Sequence, residues 1–337
     1  MYSFSISYQK MGDKWKKTKF LGAGSYGTIY LASKVDSPLS DSIRVAVKSA
    51  SCEDSTSLKE EGRILYELRG CREIVQCFGE DISFENNEGV YSLLLEYASG
   101  GSLNNLIDKY EGNMPESLVA CYSYMLLKGL SHVHEEGFVH CDLKPTNILV
   151  FPSQDGTEVH NLKIADFGAA KKIGEEEILT PGTDSFHRGT IFYASPESIA
   201  SGLHIPASDI WSLGCIIVEM IVGKPLWTGR RKDLIKKICF GDIKIPEKIS
   251  GITRHFLKMC LAKEHQKRWT ANMLLDHPFI VKNLAALPPN FNDRVMLSLT
   301  NPFGRGTWVS TYDLFSTQSE PEEPADLGLV WNSLISC

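Results

Sequence analysis

The sequence predicts an α+β protein: a small antiparallel β-rich unit with one helix, followed by a larger, mainly helical unit. Three observations lead to this. Short β-branched and aromatic stretches alternate with polar turns up to residue 97. Beyond them, apolar residues recur at helical spacing. The chain has 337 residues, 43% hydrophobic and 23% charged, which suits about two folding units. This composition excludes a disordered, collagenous or fibrous chain. A net charge of −6 argues against a domain that coats nucleic acid, because such domains are usually basic.

The strand-like stretches are Trp15–Leu21, Thr28–Ser33, Ile43–Ser49, Val75–Glu80 and Tyr91–Tyr97, separated by polar connections such as Asp36–Ser42 and Glu85–Gly89. One helix interrupts them over Ser57–Leu68, with Leu58, Ile64, Leu65 and Leu68 on a helical period. From about residue 103 helices dominate. Leu118, Tyr122, Met125, Leu126 and Val133 form a long stripe ending before Gly137, while Asp209–Val222 is apolar nearly all round and reads as a buried helix. Lys232–Cys239, Thr253–Leu261 and Thr270–Leu275 are further helical stretches. After Lys282 the composition shifts to Pro, Ser, Asn and Thr. From Gly306 the only charges are Asp313, Glu320, Glu322, Glu323 and Asp326, the signature of an acidic, flexible tail.

Nine scattered cysteines without a CxxC pair point to reduced thiols, not to a disulfide framework or zinc site. Met1–Tyr8 lacks the basic and apolar regions of a signal peptide. The longest apolar run, Ile210–Val222, is too short to span a bilayer and contains Glu219. We therefore expect a soluble cytoplasmic or nuclear protein with no membrane or nucleic-acid partner.

Four motifs carry chemistry. Gly22-Ala23-Gly24-Ser25-Tyr26-Gly27 lets main-chain N–H groups approach phosphate oxygens, and strand-like residues on both sides favour a hairpin over a strand-to-helix turn. Lys48 lies in the apolar run Val45-Ala46-Val47-Lys48 and needs an acidic partner; Glu60 and Glu61 are both candidates. His140-Cys141-Asp142-Leu143-Lys144-Pro145-Thr146-Asn147 precedes Asp166-Phe167-Gly168. An Asn and an Asp from two loops suit Mg²⁺, Asp142 could accept a hydroxyl proton, and Lys144 could offset phosphoryl charge.

In this order and spacing the motifs form the protein-kinase signature set, and residues 14–280 resemble a eukaryotic protein kinase. Asp142-Leu143-Lys144-Pro145-Thr146-Asn147 is similar to the serine/threonine form. The resemblance implies a bilobal fold (N-lobe 14–97, C-lobe 102–280), with residues 1–13 an N-terminal extension and 281–337 a tail. It implies ATP and Mg²⁺ as cofactors, bound in the cleft between the lobes. Gly22, Gly24 and Gly27 would cover the phosphates, and Leu21 would also contact the nucleotide. Glu61 would hold Lys48, and Asn147 with Asp166 would hold the metal. Glu96 and Ala98 would offer backbone groups to adenine, and Ile29, Ala46 and Leu149 would sandwich it. Thr190 would support the acceptor and the catalytic loop, and Glu197 would pair with Arg268. Ser102 falls where many kinases carry an acidic ribose contact.

More narrowly, Phe138–Pro145, Ala165–Lys171 and Gly223–Trp227 resemble plant MAP kinase kinase kinases of the MEKK-like group. That resemblance implies MAP kinase kinase substrates in a plant stress or hormone cascade. The alternatives are another plant serine/threonine kinase branch or a pseudokinase scaffold; the latter would lack Lys48, Asp142, Asn147 or Asp166, and all four are present. Cys141 departs from the kinase pattern by replacing the arginine that pairs with an activation-loop phosphate; beside Asp142 it reads as an inert thiol. His132 and His134 read as packing or surface residues. The basic runs at Lys10–Lys19 and Arg230–Lys237 read as solvated faces, with nuclear import as the alternative, and Glu320–Trp331 as a docking motif for a regulatory partner or a functionless tail.

Overall fold

The computed structural model describes residues 15–24, 27–34, 44–153, 158–175 and 190–284. These divide into two compact units, one holding residues up to 66 and 76–97, the other 67–75 and 98 onward.

The first unit is a five-stranded antiparallel sheet with one helix. Its strands are β1 (Trp15–Gly24), β2 (Gly27–Lys34), β3 (Arg44–Ser51), β4 (Cys77–Glu85) and β5 (Glu88–Glu96), in the order β1-β2-β3-β5-β4. Helix α1 (Thr56–Glu67) lies between β3 and β4 in the chain. Val45 and Val47 alternate inward to pack with Ala32 and Leu94, and Trp15 and Phe78 close over this core. Lys17 on β1 bonds Glu85 on β4 at 2.6 Å, joining the two edge strands. Lys17 and its neighbours are strand residues of this sheet; Lys10 and Lys14 lie outside the described residues.

Two sequence expectations change here. The polar stretch Glu85–Gly89 shrinks to a two-residue turn, because Asn86 and Asn87 both adopt positive φ (51° and 67°) as a tight hairpin requires. The stretch Val75–Glu80 is split. Val75 donates its N–H to Ile164 in the second unit (2.9 Å), and β4 begins only at Cys77. Apolar runs do not reveal which sheet they join.

The second unit is mainly helical. It contains α2 (Leu103–Tyr110), α3 (Glu116–Glu135), α4 (Pro196–Ser201), α5 (Pro206–Val222), α6 (Arg231–Phe240), α7 (Gly251–Cys260), α8 (Ala271–Leu275) and α9 (Pro278–Val281). Four short strands pair as β6 (Phe138–Val139) with β9 (Lys171–Lys172), and β7 (Ile148–Phe151) with β8 (Asn161–Ile164). Every α5 residue from Ser208 to Met220 is buried, as its all-round apolarity requires. The α3 stripe proves wider than expected, since most of its side chains are buried. On α6 the basic residues are exposed while Leu234 and Ile238 are buried, a solvated face over an apolar one. The eight described cysteines are free thiols. Among the described residues no helix is long and apolar enough to cross a membrane.

Candidate active site

In the first unit the glycine-rich segment is a hairpin. β1 ends at Gly24, which pairs with Gly27 at the start of β2, and a bulge lies at Leu21 between Phe20 and Gly22. A Cβ added at Gly22 or Gly24 would meet nothing within 4 Å, so the backbone faces open space that an anion can approach. Gly27 is required for another reason. Its φ is 135°, and a Cβ there would strike the Ser49 carbonyl at 2.4 Å. Ser25 and Tyr26 lie outside the described residues.

Strand alternation points Val45 and Val47 into the core and leaves Ala46 and Lys48 on the opposite face. There Lys48 is 4% exposed, and its ammonium meets Glu61 Oε2 at 2.5 Å; Glu61 itself is 1% exposed. Glu60 is turned away and pairs with Arg63. The pairing falls on Glu61, as the family resemblance implies, because adjacent helical residues project roughly 100° apart. Ile29, on β2 directly opposite Lys48, and Ala46 are half-buried. Glu96 ends β5, and its N–H donates to the Gln76 carbonyl at 2.8 Å.

In the second unit the loop after β6 gathers the remaining candidates. Asp142 Oδ1 accepts the Thr190 main-chain N–H at 2.9 Å. Its Oδ2 accepts from Lys144 Nζ at 2.6 Å and from Asn147 Nδ2 at 3.2 Å. Thr190 therefore supports the loop through its main chain. Asn147 also donates to the Asp142 carbonyl at 3.0 Å. With both amide contacts made by Nδ2, Oδ1 is the end left for a cation. The β7–β8 register sets Ile148 opposite Ile164, and Ala165 N–H donates to the Asn147 carbonyl at 2.9 Å. This brings Asn147 and Asp166 to the same end of one ribbon. Asp166 adopts a left-handed conformation (φ 64°) as the chain enters the Phe167–Ala169 turn. An amide oxygen beside a carboxylate is a hard donor pair suited to Mg²⁺. Among the described residues no cluster of three His, Cys, Asp or Glu competes for a metal.

Leu149 is half-buried between the buried Ile148 and Val150. Ala98 accepts from the Gly101 N–H at 3.4 Å through its carbonyl. Ser102, instead of presenting an acid, caps α2 and hydrogen-bonds Asn105 Oδ1 through both its N–H (3.0 Å) and its hydroxyl (2.9 Å).

Behind the loop stands Asp209 of α5, buried at 1% exposure. It accepts the main-chain N–H groups of His140 (2.9 Å) and Cys141 (3.1 Å), and Nε2 of His134 lies 2.9 Å from its Oδ2. Burial by itself would raise this acid, but the His134 hydrogen bond and the nearby His140 hold it below the usual aspartate range. This corrects the reading of His134 as mere packing: it is one of three groups that fix Asp209. Sequence offered no signal for it, because the partner is 75 residues away. His132 conforms to expectation, its Nε2 buried without a hydrogen bond. His140 accepts the Asp142 N–H at Nδ1 (3.3 Å), so Nε2 carries the proton donated to the Ala165 carbonyl (3.1 Å). Its ring meets Phe167 edge-on at 4.8 Å. Glu197 and Arg268 form a buried bidentate pair at 2.6 and 2.7 Å. Tyr193 donates to Glu219 Oε2 at 2.7 Å, which satisfies the second buried acid of α5. The activation-segment residues that the sequence offers for phosphorylation, Thr180 (before Pro181), Thr183 and Ser185, lie outside the described residues.

A family model described as protein kinase domain matches residues 15–280. The chain is 37% identical over 323 residues to mitogen-activated protein kinase kinase kinase 20 of Arabidopsis thaliana, covering 91% of each chain. It is 34% identical to mitogen-activated protein kinase kinase kinase 17 of the same plant, covering 79% of this chain and 69% of the relative. It is 35% identical to serine/threonine-protein kinase BCK1/SLK1/SSP31 of Saccharomyces cerevisiae, covering 79% of this chain but 18% of that much longer one. The chain belongs to the protein kinase family, as an ATP-dependent serine/threonine kinase resembling the MAP kinase kinase kinases of plants.

Proposed function

We propose that this kinase phosphorylates serine or threonine in the activation loops of MAP kinase kinases, within a plant stress or hormone cascade, and that it works in cytoplasm or nucleus. The names borne by its relatives support the substrate class. The observation that carries the catalytic reading is the convergence of Thr190 N–H, Lys144 and Asn147 on the Asp142 carboxylate.

In this reading Asp142 orients the acceptor hydroxyl and takes up its proton. The bond from the γ-phosphorus to the β–γ bridging oxygen breaks as the bond to the acceptor oxygen forms, and ADP departs. Lys144 offsets charge on the group in transit. Main-chain N–H groups around Gly22, Gly24 and Gly27 cover the phosphates, and Lys48, held by Glu61, contacts them. Glu96 and Ala98 meet the adenine edge, with Leu21, Ile29, Ala46 and Leu149 against its faces. Asn147 Oδ1 and the Asp166 carboxylate would hold Mg²⁺, whose charge would offset that of the phosphates.

The test is an assay with Mg·ATP against a panel of catalytically dead MAP kinase kinases, followed by phosphosite mapping. Phosphate on activation-loop Ser or Thr of one member is the expected result; a panel left unmodified by a kinase active on a generic substrate refutes the substrate class. Asp142→Asn should lower turnover about 100-fold or more while the circular dichroism spectrum is retained. Near-normal turnover would remove Asp142 from its role.

A further inference from the structure

Gly62 follows Glu61 in the middle of α1, a position where glycine disfavours the helix relative to alanine. What a side chain would meet there explains its use. A Cβ on Gly62 would lie 2.9 Å from Leu93 Cδ2, 3.7 Å from Leu93 Cδ1 and 3.6 Å from the Tyr91 hydroxyl. Leu93 is the cross-strand partner of Lys48, so both side chains stand on the sheet face that α1 covers. Glu61 and Gly62 therefore address neighbouring points of one surface, the first reaching Lys48 and the second resting on Leu93.

The nearest atom, Leu93 Cδ2, is the tip of a flexible side chain, but the side chain it belongs to is enclosed in the core. Leu93 is 1% exposed and Tyr91 3%. The Tyr91 hydroxyl donates to Glu80 Oε2 in a short hydrogen bond, and its ring lies 5.5 Å from the Lys59 ammonium. Packing of this density transmits a displacement instead of absorbing it. To bring a new methyl from 2.9 Å to an ordinary contact, α1 and the enclosed Leu93 must part by about 0.7 Å. The Lys48–Glu61 pair has no slack at 2.5 Å, and both partners are buried, so a retreat of that size takes the carboxylate from its ammonium.

We infer that the missing side chain at position 62 sets the spacing between α1 and β5, and through it the Lys48–Glu61 pair: Gly62 is a positioning residue for the lysine. The inference rests on the proposed reading that Lys48 contacts the ATP phosphates. It predicts that stability and activity part company at this site. Alanine should favour the helix yet impair nucleotide use.

The experiment compares wild type, Gly62→Ala, Leu93→Val, the double variant and Lys48→Met in the full chain. It measures KM for ATP, kcat and thermal unfolding. Gly62→Ala should lower kcat/KM for ATP about tenfold, mainly through KM, without a matching loss of Tm. Leu93→Val removes both Cδ atoms, so the double variant should recover most of that loss, which Leu93→Val alone does not raise above wild type. Gly62→Ala kinetics within about twofold of wild type, or a loss that Leu93→Val does not relieve, overturn the inference. If Gly62→Ala does not fold, the double variant decides: it must fold and turn over, and its inactivity is equally contrary. Lys48→Met separates the two levels. Its inactivity beside a normal Gly62→Ala removes only the inference, whereas an active Lys48→Met removes the reading beneath it.

Discussion

Cys141 turns through a positive φ of 65°, a conformation that costs a side-chain-bearing residue roughly 1–2 kcal/mol. Its N–H donation to Asp209 Oδ1 helps to hold that turn, and its Sγ donates to the Val139 carbonyl at 3.4 Å. The backbone demand at 141 is thus met by Asp209 whatever the side chain. What the cysteine omits is a cation able to grip an activation-loop phosphate with two charge-assisted hydrogen bonds. Phosphatase-treated recombinant enzyme is accordingly expected to keep most of its kcat, as are Thr183→Ala and Ser185→Ala. A deep loss of activity that returns on phosphorylation of either residue would contradict this. Cys141 was legible in sequence as a departure from a pattern. The Asp209 anchor behind it was legible only as part of a buried helix, because its three donors come from residues 134, 140 and 141.

Elements are joined by ion pairs and histidines that sequence places far apart. Glu197, in the first turn of α4, meets Arg268, whose Nε also donates to the Ala262 carbonyl at 2.7 Å and whose guanidinium stacks 5.0 Å from Trp211. Burial would raise Glu197, but the Arg268 hydrogen bonds and charge keep it below the ordinary range. Arg268→Met leaves that carboxylate buried and unpaired. It should cost about 3–5 kcal/mol of stability, read as a fall in denaturation midpoint, while Glu197→Gln costs less by keeping two acceptor or donor atoms in place. A second junction is histidine on histidine. Phe279 N–H donates to His277 Nδ1 at 3.0 Å, so the His277 proton sits on Nε2 and points at His255 Nδ1, 2.8 Å away. Phe256 and Trp269 pack around this pair. Protonating His277 would put a hydrogen where the Phe279 N–H already points, and burial together with His255 lowers its pKa from the ordinary histidine value. The unfolded chain, with ordinary histidine, binds the extra proton first. The stabilising contribution is therefore present above about pH 6.5 and declines as pH falls below it. His277→Asn replaces the capping ring nitrogen with an amide oxygen that does not titrate, and should flatten this part of the Tm-against-pH curve. An unchanged slope would place the titration elsewhere.

At the scale of the molecule, charge and chemistry are segregated along the chain. Residues 306–337 carry −5 of the net −6, which leaves −1 for the rest. The matched kinase domain ends at residue 280, and every proposed catalytic and metal residue precedes it. Deleting residues 307–337 should therefore leave turnover of a generic substrate within about twofold of the full chain. Partner binding measured in the same pair of proteins tests the docking motif at Glu320–Trp331. No loss of any bound partner, with activity and protein turnover unchanged, would end that role. By itself the sequence determined the α+β class, the order of elements, and the residue types able to bind phosphate, magnesium and a hydroxyl, since period and motif spacing are local properties. Only the tertiary structure decided which groups load Asp142, that His134 serves Asp209, and why position 62 must be glycine. Those outcomes depend on which face of each element is buried against another, and that is settled by packing between residues distant in the chain.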